Sequence, residues 1–396
     1  MKRMIVRTLV FLLFVAATTP LLQAQQSNEP FSFIVSSDQR EHATQEFRTH
    51  VYTLGGYEAI NVVGKGSFMI VLGDLDPPSA TRELIASVLG KDYLWYPVIG
   101  NHDLEVEANT EYIRAMNRGP KGLPYVLRKG PSGCEETTYT FDWNNVHFVI
   151  LSVYYDGKND NKTDGKIAPE LMSWLENDLK QNTKKRVLVF GHEPIYPFLD
   201  MDNGTVRHLN DALDKYPDNA QNFHRLLAKY QVTAYFSGHT HTAFYANING
   251  LWLFSSGHIY GQEDRYNPEK LYSVLSKYVD ADLTKGTSVD SSLVHFYKSD
   301  VREIKKLVFN LGILKVKTYK DLTDDQAMKV LGQIYTESHN SSDGISKYSK
   351  LFWANTEWRK STFLKVNVGP QSGTVEIYRD KDFMGNYGLR DRVVLY

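Results

Sequence analysis

With 396 residues, the chain exceeds what a single small core requires and admits one large domain with additions, or two domains. Hydrophobic residues make up 42% and charged residues 23%, and 45 Lys+Arg against 46 Asp+Glu leave almost no net charge. That balance gives no electrostatic reason to expect nucleic acid or an anionic membrane as partner, and the single cysteine, Cys134, excludes an internal disulfide and a cysteine-held metal.

Lys2, Arg3 and Arg7 precede an apolar run from Leu9 to about Ala17, which Pro20 ends; Leu22-Gln23-Ala24 then offers a small residue for peptidase cleavage. Residues 1–24 are therefore expected to be a signal peptide, with the mature protein periplasmic or secreted. The run is shorter than the ~20 apolar residues of a membrane span, so no span is expected once it is removed. Beyond a polar leader, Phe31–Ser36, Phe68–Leu72, Tyr93–Ile99, Val146–Val153, Val187–Phe190 and Val232–Phe236 are short apolar runs rich in β-branched and aromatic residues, and they read as buried strands. Between them, Ser79–Leu89, Pro169–Leu179 and Asn222–Tyr230 place apolar residues at helical spacing. Thr138–Trp143 and Val146–Val153 read as a hairpin turned by Asn144-Asn145. Asp156–Gly165 reads as a solvated polar loop. From Gly261 to about Lys360 strand signals fade and helical spacing takes over. Phe363–Val368 and Thr374–Arg379 then form a closing hairpin. The expected organisation is an α/β catalytic domain over 30–260, a mostly helical insertion or cap over 261–360, and a closing hairpin and tail over 361–396.

Several predicted strands end in polar clusters: Asp38, Gly73-Asp74, Gly100-Asn101-His102-Asp103, Gly191-His192 and Gly238-His239-Thr240-His241. Ligands of open α/β sheets bind beyond the carboxyl ends of strands, so these clusters are expected to converge on one crevice, with the glycines permitting sharp turns out of each strand. Carboxylates, an amide and imidazoles form a hard-to-borderline ligand set suited to Mn, Fe, Zn or Mg. His258, after another strand, is a further candidate for lining the crevice, whereas the 25 Tyr residues read mainly as packing.

In this order the motifs resemble the signature of the calcineurin-like metallophosphoesterases, over roughly Phe31 to His258. The resemblance implies two packed β-sheets flanked by helices, and hydrolysis of a phosphomonoester or phosphodiester by in-line attack of a metal-bound hydroxide. It implies that Asp74 bridges two cations, that Asp38 and His241 hold the first, and that Asn101, His192 and His239 hold the second. His102 is the implied acid. The pattern departs at Arg40, where the family usually has His, and at Pro77, where relatives have an acidic or Tyr residue. The first cation therefore keeps only three protein ligands, so one or two cations per chain are expected. Asp76 or Asp103 would orient His102, and Arg40 is a candidate contact for substrate phosphate. The alternative is a non-catalytic metal- or phosphate-binding member of the same fold, degenerate at Arg40.

Overall fold

The computed structural model describes residues 29–39, 53–119, 122–161, 165–202, 204, 206–259, 314–330, 360–381 and 386–396, together with Lys305, Val308 and Phe309. The expected signal peptide, Arg40 and most of the expected insertion lie outside these residues. In the first half of the chain the elements are β1 (Phe31–Ser36), α1 (Thr53–Val63), β2 (Phe68–Val71), α2 (Pro78–Val88), β3 (Leu94–Pro97), α3 (Glu107–Met116), β4 (Val126–Lys129), β5 (Tyr139–Trp143) and β6 (Val146–Ile150). There follow α4 (Pro169–Gln181), β7 (Arg186–Phe190), α5 (Pro217–Lys229), β8 (Ala234–Ser237), β9 (Ala243–Ile248), β10 (Leu251–Ser256), β11 (Thr362–Val368), β12 (Gly373–Asp380) and β13 (Tyr387–Val394).

The strands form two mixed sheets, ordered β13-β12-β11-β1-β2-β3 and β4-β5-β6-β7-β8-β10-β9. The apolar runs are continuous because both faces of their strands are covered. In β1, Phe33 and Val35 join the core between the sheets while Ile34 joins the core under the helices; β2 divides Phe68 and Ile70 from Met69 and Val71 in the same way. Aromatic rings close the gap between sheets: Phe33 meets Phe148 edge-on at 5.3 Å, and Tyr96 stacks on Phe141 at 4.0 Å. Truncating one such ring to Ala costs about 3–5 kcal/mol. Helices α2, α4 and α5 each open on a proline at the first position, where its fixed φ and missing N–H do no harm.

β1, β2 and β3 run parallel, as do β6, β7, β8 and β10, so the carboxyl ends of both central sets reach one edge of the sandwich. Ser37, just beyond β1, donates through Oγ to Gly257 O at 2.6 Å, and His239 N donates to Asp38 Oδ2 at 3.0 Å. The two sheets are thus joined where the polar clusters lie.

The expected closing hairpin is present and belongs to the same sandwich, because β11 pairs antiparallel with β1 along Phe31–Val35. Where a tail was expected, β13 adds a third strand. Its Arg390-Asp391-Arg392 stretch sits on a sheet edge, which needs no apolar alternation. Thr362 N donates to His258 O at 2.7 Å, so the chain re-enters the sandwich beside the point where it left.

Candidate metal centre

Every sequence-expected site residue among the described residues lies at this shared edge. Asp38 follows β1, Asp74 follows β2, Asn101 and His102 follow β3, His192 follows β7, and His239 and His241 follow β8. The left-handed turns that aim them are taken by the functional residues themselves: Asp38, Asp74, His239 and His241 have φ of 51°, 54°, 64° and 53°. Backbone held in this region by non-glycine residues concentrates at functional sites. The neighbouring glycines mostly supply room rather than turning freedom. A Cβ on Gly100 would sit 2.3 Å from Asp74 Oδ1, and one on Gly238 would sit 2.6 Å from Asp38 Oδ2.

Asp38, Asp74 and His192 are buried and present ligand atoms all within 4.8 Å of one another. His192 donates its Nδ1 proton to Leu72 O. In the neutral form of the ring, the form that ligates a metal, this single proton leaves the lone pair on Nε2. That lone pair lies 3.2 Å from Asn101 Oδ1 and 3.4 Å from Asp74 Oδ1, which are both acceptors. His239 repeats the arrangement. Its Nε2 donates to Asp211 O at 2.9 Å, leaving the Nδ1 lone pair 3.2 Å from Asn101 Oδ1. Lone pairs facing one another without a proton between them repel unless a cation lies among them. Backbone carbonyls fixing the far nitrogen of each ring are the usual support of metal-ligating histidines.

Titration follows the same logic. Burial, reinforced by His192 and His208, pushes His239 down to about 3, and burial also holds His241 well below the usual imidazole range. Both are therefore neutral at pH 7, the form that ligates. Burial raises the Asp38 carboxyl, but the adjacent His241 and His192 rings and the Ser37 hydroxyl outweigh it, and Asp38 titrates below the usual carboxylate range. Asp38 Oδ1 faces His241 Nε2 at 3.2 Å. The carboxylate of Asp74, the amide oxygen of Asn101 and the imidazoles of His192 and His239 make a donor set that suits a divalent cation.

His102 is partly exposed at the mouth, with Nε2 3.9 Å from Asp74 Oδ2. Asp103 does not face its ring. The Asp103 carboxylate is fully buried and accepts N–H bonds from Asp74, Leu75 and Gly100 at 2.9, 2.9 and 2.8 Å. Burial and the charge of Asp74 push it up to about 7. Asp103 thus shapes the loops that carry the ligands, and Asp76 is engaged by Asn109 at 3.2 Å. The residue beside His102 is Glu105, with Oε2 3.2 Å from Nδ1. His258 is placed next to His241, with ring centroids 5.6 Å apart.

Three further residues reach the site from the loop before α5. Arg207 Nη1 donates to His241 Nδ1. His208 lies 4.5 Å, ring to ring, from His239, and its Nδ1 is 2.8 Å from Asp211 Oδ2. His208, Asp211 and His239 form a second group of possible ligand atoms within 4.8 Å of one another. The preceding strand, β7, ends at Phe190, well before Arg207, so no strand-end motif marked these residues in the sequence.

A profile of the calcineurin-like phosphoesterase family matches residues 47–243. Tartrate-resistant acid phosphatase type 5 of Rattus norvegicus is 29% identical over 174 residues, covering 41% of this chain and 48% of that protein. The Homo sapiens protein of the same name is 28% identical over 177 residues, with the same coverage. This chain thus spans about half the length of the curated relatives it matches. Among solved structures it is similar to purple acid phosphatase PPD1 from yellow lupin (Lupinus luteus) seeds, with a TM-score of 0.49 and 10% identity, over 93% of this chain and 54% of that one.

Proposed function

We propose, for a chain that belongs to the calcineurin-like phosphoesterase family, that it hydrolyses a small phosphate ester with the help of a bound divalent metal. The observation that carries this reading is the convergence of unprotonated His192 and His239 nitrogens on the oxygens of Asn101 and Asp74. These four residues would hold the metal, while Asp38 and His241 face a neighbouring position. The metal, when bound, supplies Lewis-acid polarisation of the phosphoryl group and activation of water. Mn, Fe, Zn and Mg all suit the donor set.

The protein's own groups supply the rest. Asp74 and Asp38 concentrate negative charge at the floor of the site and hold cations there. His102, at the mouth, is placed to give a proton to the departing oxygen, and the Glu105 carboxylate lies beside its ring, 3.2 Å from Nδ1. The matched relatives are named as acid phosphatases, which supports a monoester among the substrates. Export belongs to the same proposal, on the pattern of the first 24 residues.

The test is a screen of p-nitrophenyl phosphate and bis-p-nitrophenyl phosphate with Mn, Zn or Mg added, alongside elemental analysis. Hydrolysis that Asp74→Asn abolishes together with bound metal supports the reading. A second reading, metal or phosphate binding without turnover, has the Arg207–His241 contact in its favour. Retained metal with no hydrolysis of either ester would select it.

A further inference from the structure

The two halves of the centre differ in the protons they carry. On the His192 and His239 side, each ring turns a lone pair inward. On the His241 side the arrangement is reversed. Arg207 is a donor through every guanidinium nitrogen and does not lose its charge in proteins, so His241 Nδ1 must accept. The single proton of the neutral His241 ring is then on Nε2, which lies 3.2 Å from Asp38 Oδ1. A ring nitrogen bearing a proton cannot ligate a metal. Contact with Arg207 and ligation of a cation through Nε2 therefore exclude one another. The first-metal residues do not fit a cation as they stand.

The guanidinium is also well placed to do part of a cation's work. Arg207 is half-buried at the rim, and its contact with His241 engages only one of its terminal nitrogens. Asp38, His241 and His258 surround the same position. A guanidinium fork matches two phosphate oxygens at once, and a half-buried one is screened less than one in open solvent.

Building on the phosphoesterase reading, we propose that Arg207 takes the place of a second cation. It fixes His241 as a hydrogen-bond donor and turns its remaining N–H groups to the phosphoryl group held by a single tight metal.

The experiment uses the full mature chain loaded with excess Mn or Zn and then dialysed. Elemental analysis should give close to one tightly held ion for wild type, nearer two for Arg207→Ala, and almost none for Asp74→Asn. Calorimetric titration with inorganic phosphate, in protein given one equivalent of metal, should show about tenfold weaker binding in Arg207→Ala, as expected when charged hydrogen bonds are lost. Arg207→Lys keeps the charge without the fork and should fall between; it also serves if the Ala variant fails to fold. Nitrogen chemical shifts of the single-metal wild type should show His241 protonated at Nε2. Two equally tight ions in wild type overturn the proposal while leaving the phosphoesterase reading intact. So does an Arg207→Ala protein with unchanged stoichiometry and unchanged phosphate affinity. A wild-type chain that binds no metal overturns both.

Discussion

Arg379 on β12 grips Asp200 through both terminal nitrogens, at 3.1 and 3.0 Å, with both side chains buried. Asp200 Oδ2 also accepts from Ala243 N at 2.9 Å, so the pair ties the carboxy-terminal strands to β9 and to the start of the loop that carries Arg207. Arg379→Met strands a buried carboxylate and should cost about 3–5 kcal/mol by urea denaturation. Adding Asp200→Asn should recover much of that loss. An unchanged unfolding midpoint in the single variant would show that the pair contributes nothing.

His102 is expected to act on the substrate and not on the metal. His102→Ala should lower kcat by about 10²–10⁴, the range for a lost general acid. Bound metal should stay the same. Glu105→Gln, which removes the charge beside Nδ1, should cost less, about tenfold in kcat. Metal loss in the His102 variant would instead make this residue a ligand.

Gly100 and Gly238 should tolerate no side chain. A Cβ at Gly100 meets Asp74 Oδ1 at 2.3 Å and Asp74 N at 2.4 Å, and backbone atoms cannot swing aside. Gly100→Ala and Gly238→Ala should each weaken metal affinity at least tenfold, the scale seen when support of a metal ligand is disturbed. Titration with a fluorescent metal competitor reads this directly. Affinity equal to wild type in both would mean that the ligand loops adjust without cost.

A buried triad away from the site should shape stability against pH. His147 Nδ1 is 2.7 Å from Asp142 and its Nε2 is 2.8 Å from Asp178. Burial lowers the His147 value, but the hydrogen bonds it donates to Asp142 and Asp178 outweigh it, so the net shift is upward. Burial raises Asp178, and His147 together with Arg128 more than reverses this, so its shift is downward. The raised histidine stabilises fully below its unfolded value of about 6.5 and loses that contribution as pH rises through the folded value. The lowered Asp178 stabilises above its unfolded value of about 3.9 and loses its contribution as pH falls through the folded value. The stability gap between wild type and His147→Gln should therefore be widest between about pH 4 and 6.5 and should narrow toward pH 9. Urea melts at pH 5.5 and 9 measure it, and an equal gap at both would contradict the assignment.

The strand ends were legible in the sequence because strands buried on both faces leave uninterrupted apolar runs, and the polar residue after each run stands out. Asp38, Asp74, Asn101, His192, His239 and His241 were found in this way and do converge. Helix α1 was missed because Gly55-Gly56 lowers its helical signal; Gly56 is required there, since a Cβ would sit 2.6 Å from Ile259. The β9–β10 hairpin carried a readable cue in Asn249-Gly250, whose φ values of 53° and 88° suit a tight turn. Glu105 was within reach of the spacing argument, three residues after His102, but Asp103 is nearer in sequence. Only the structure shows that Asp103 is consumed by three backbone amides. Arg207, His208 and Asp211 were not legible, because tertiary packing alone brings their loop to the site.

The hydrogen bond from Thr362 N to His258 O has an evolutionary consequence. The chain leaves the sandwich at Ile259, whose N–H is bound to Ser37 O at 3.0 Å, and returns at Thr362 beside the residue it left. Both ends of the intervening segment are thus pinned by the sheets. Lengthening a connection between fixed ends costs little, about 0.6 kcal/mol for each doubling of a flexible one. Residues can therefore be added or removed between these ends in a lineage without rebuilding either sheet. Because His258 at the root also lies against His241, variation there stays within reach of the chemistry while the scaffold is shielded from it.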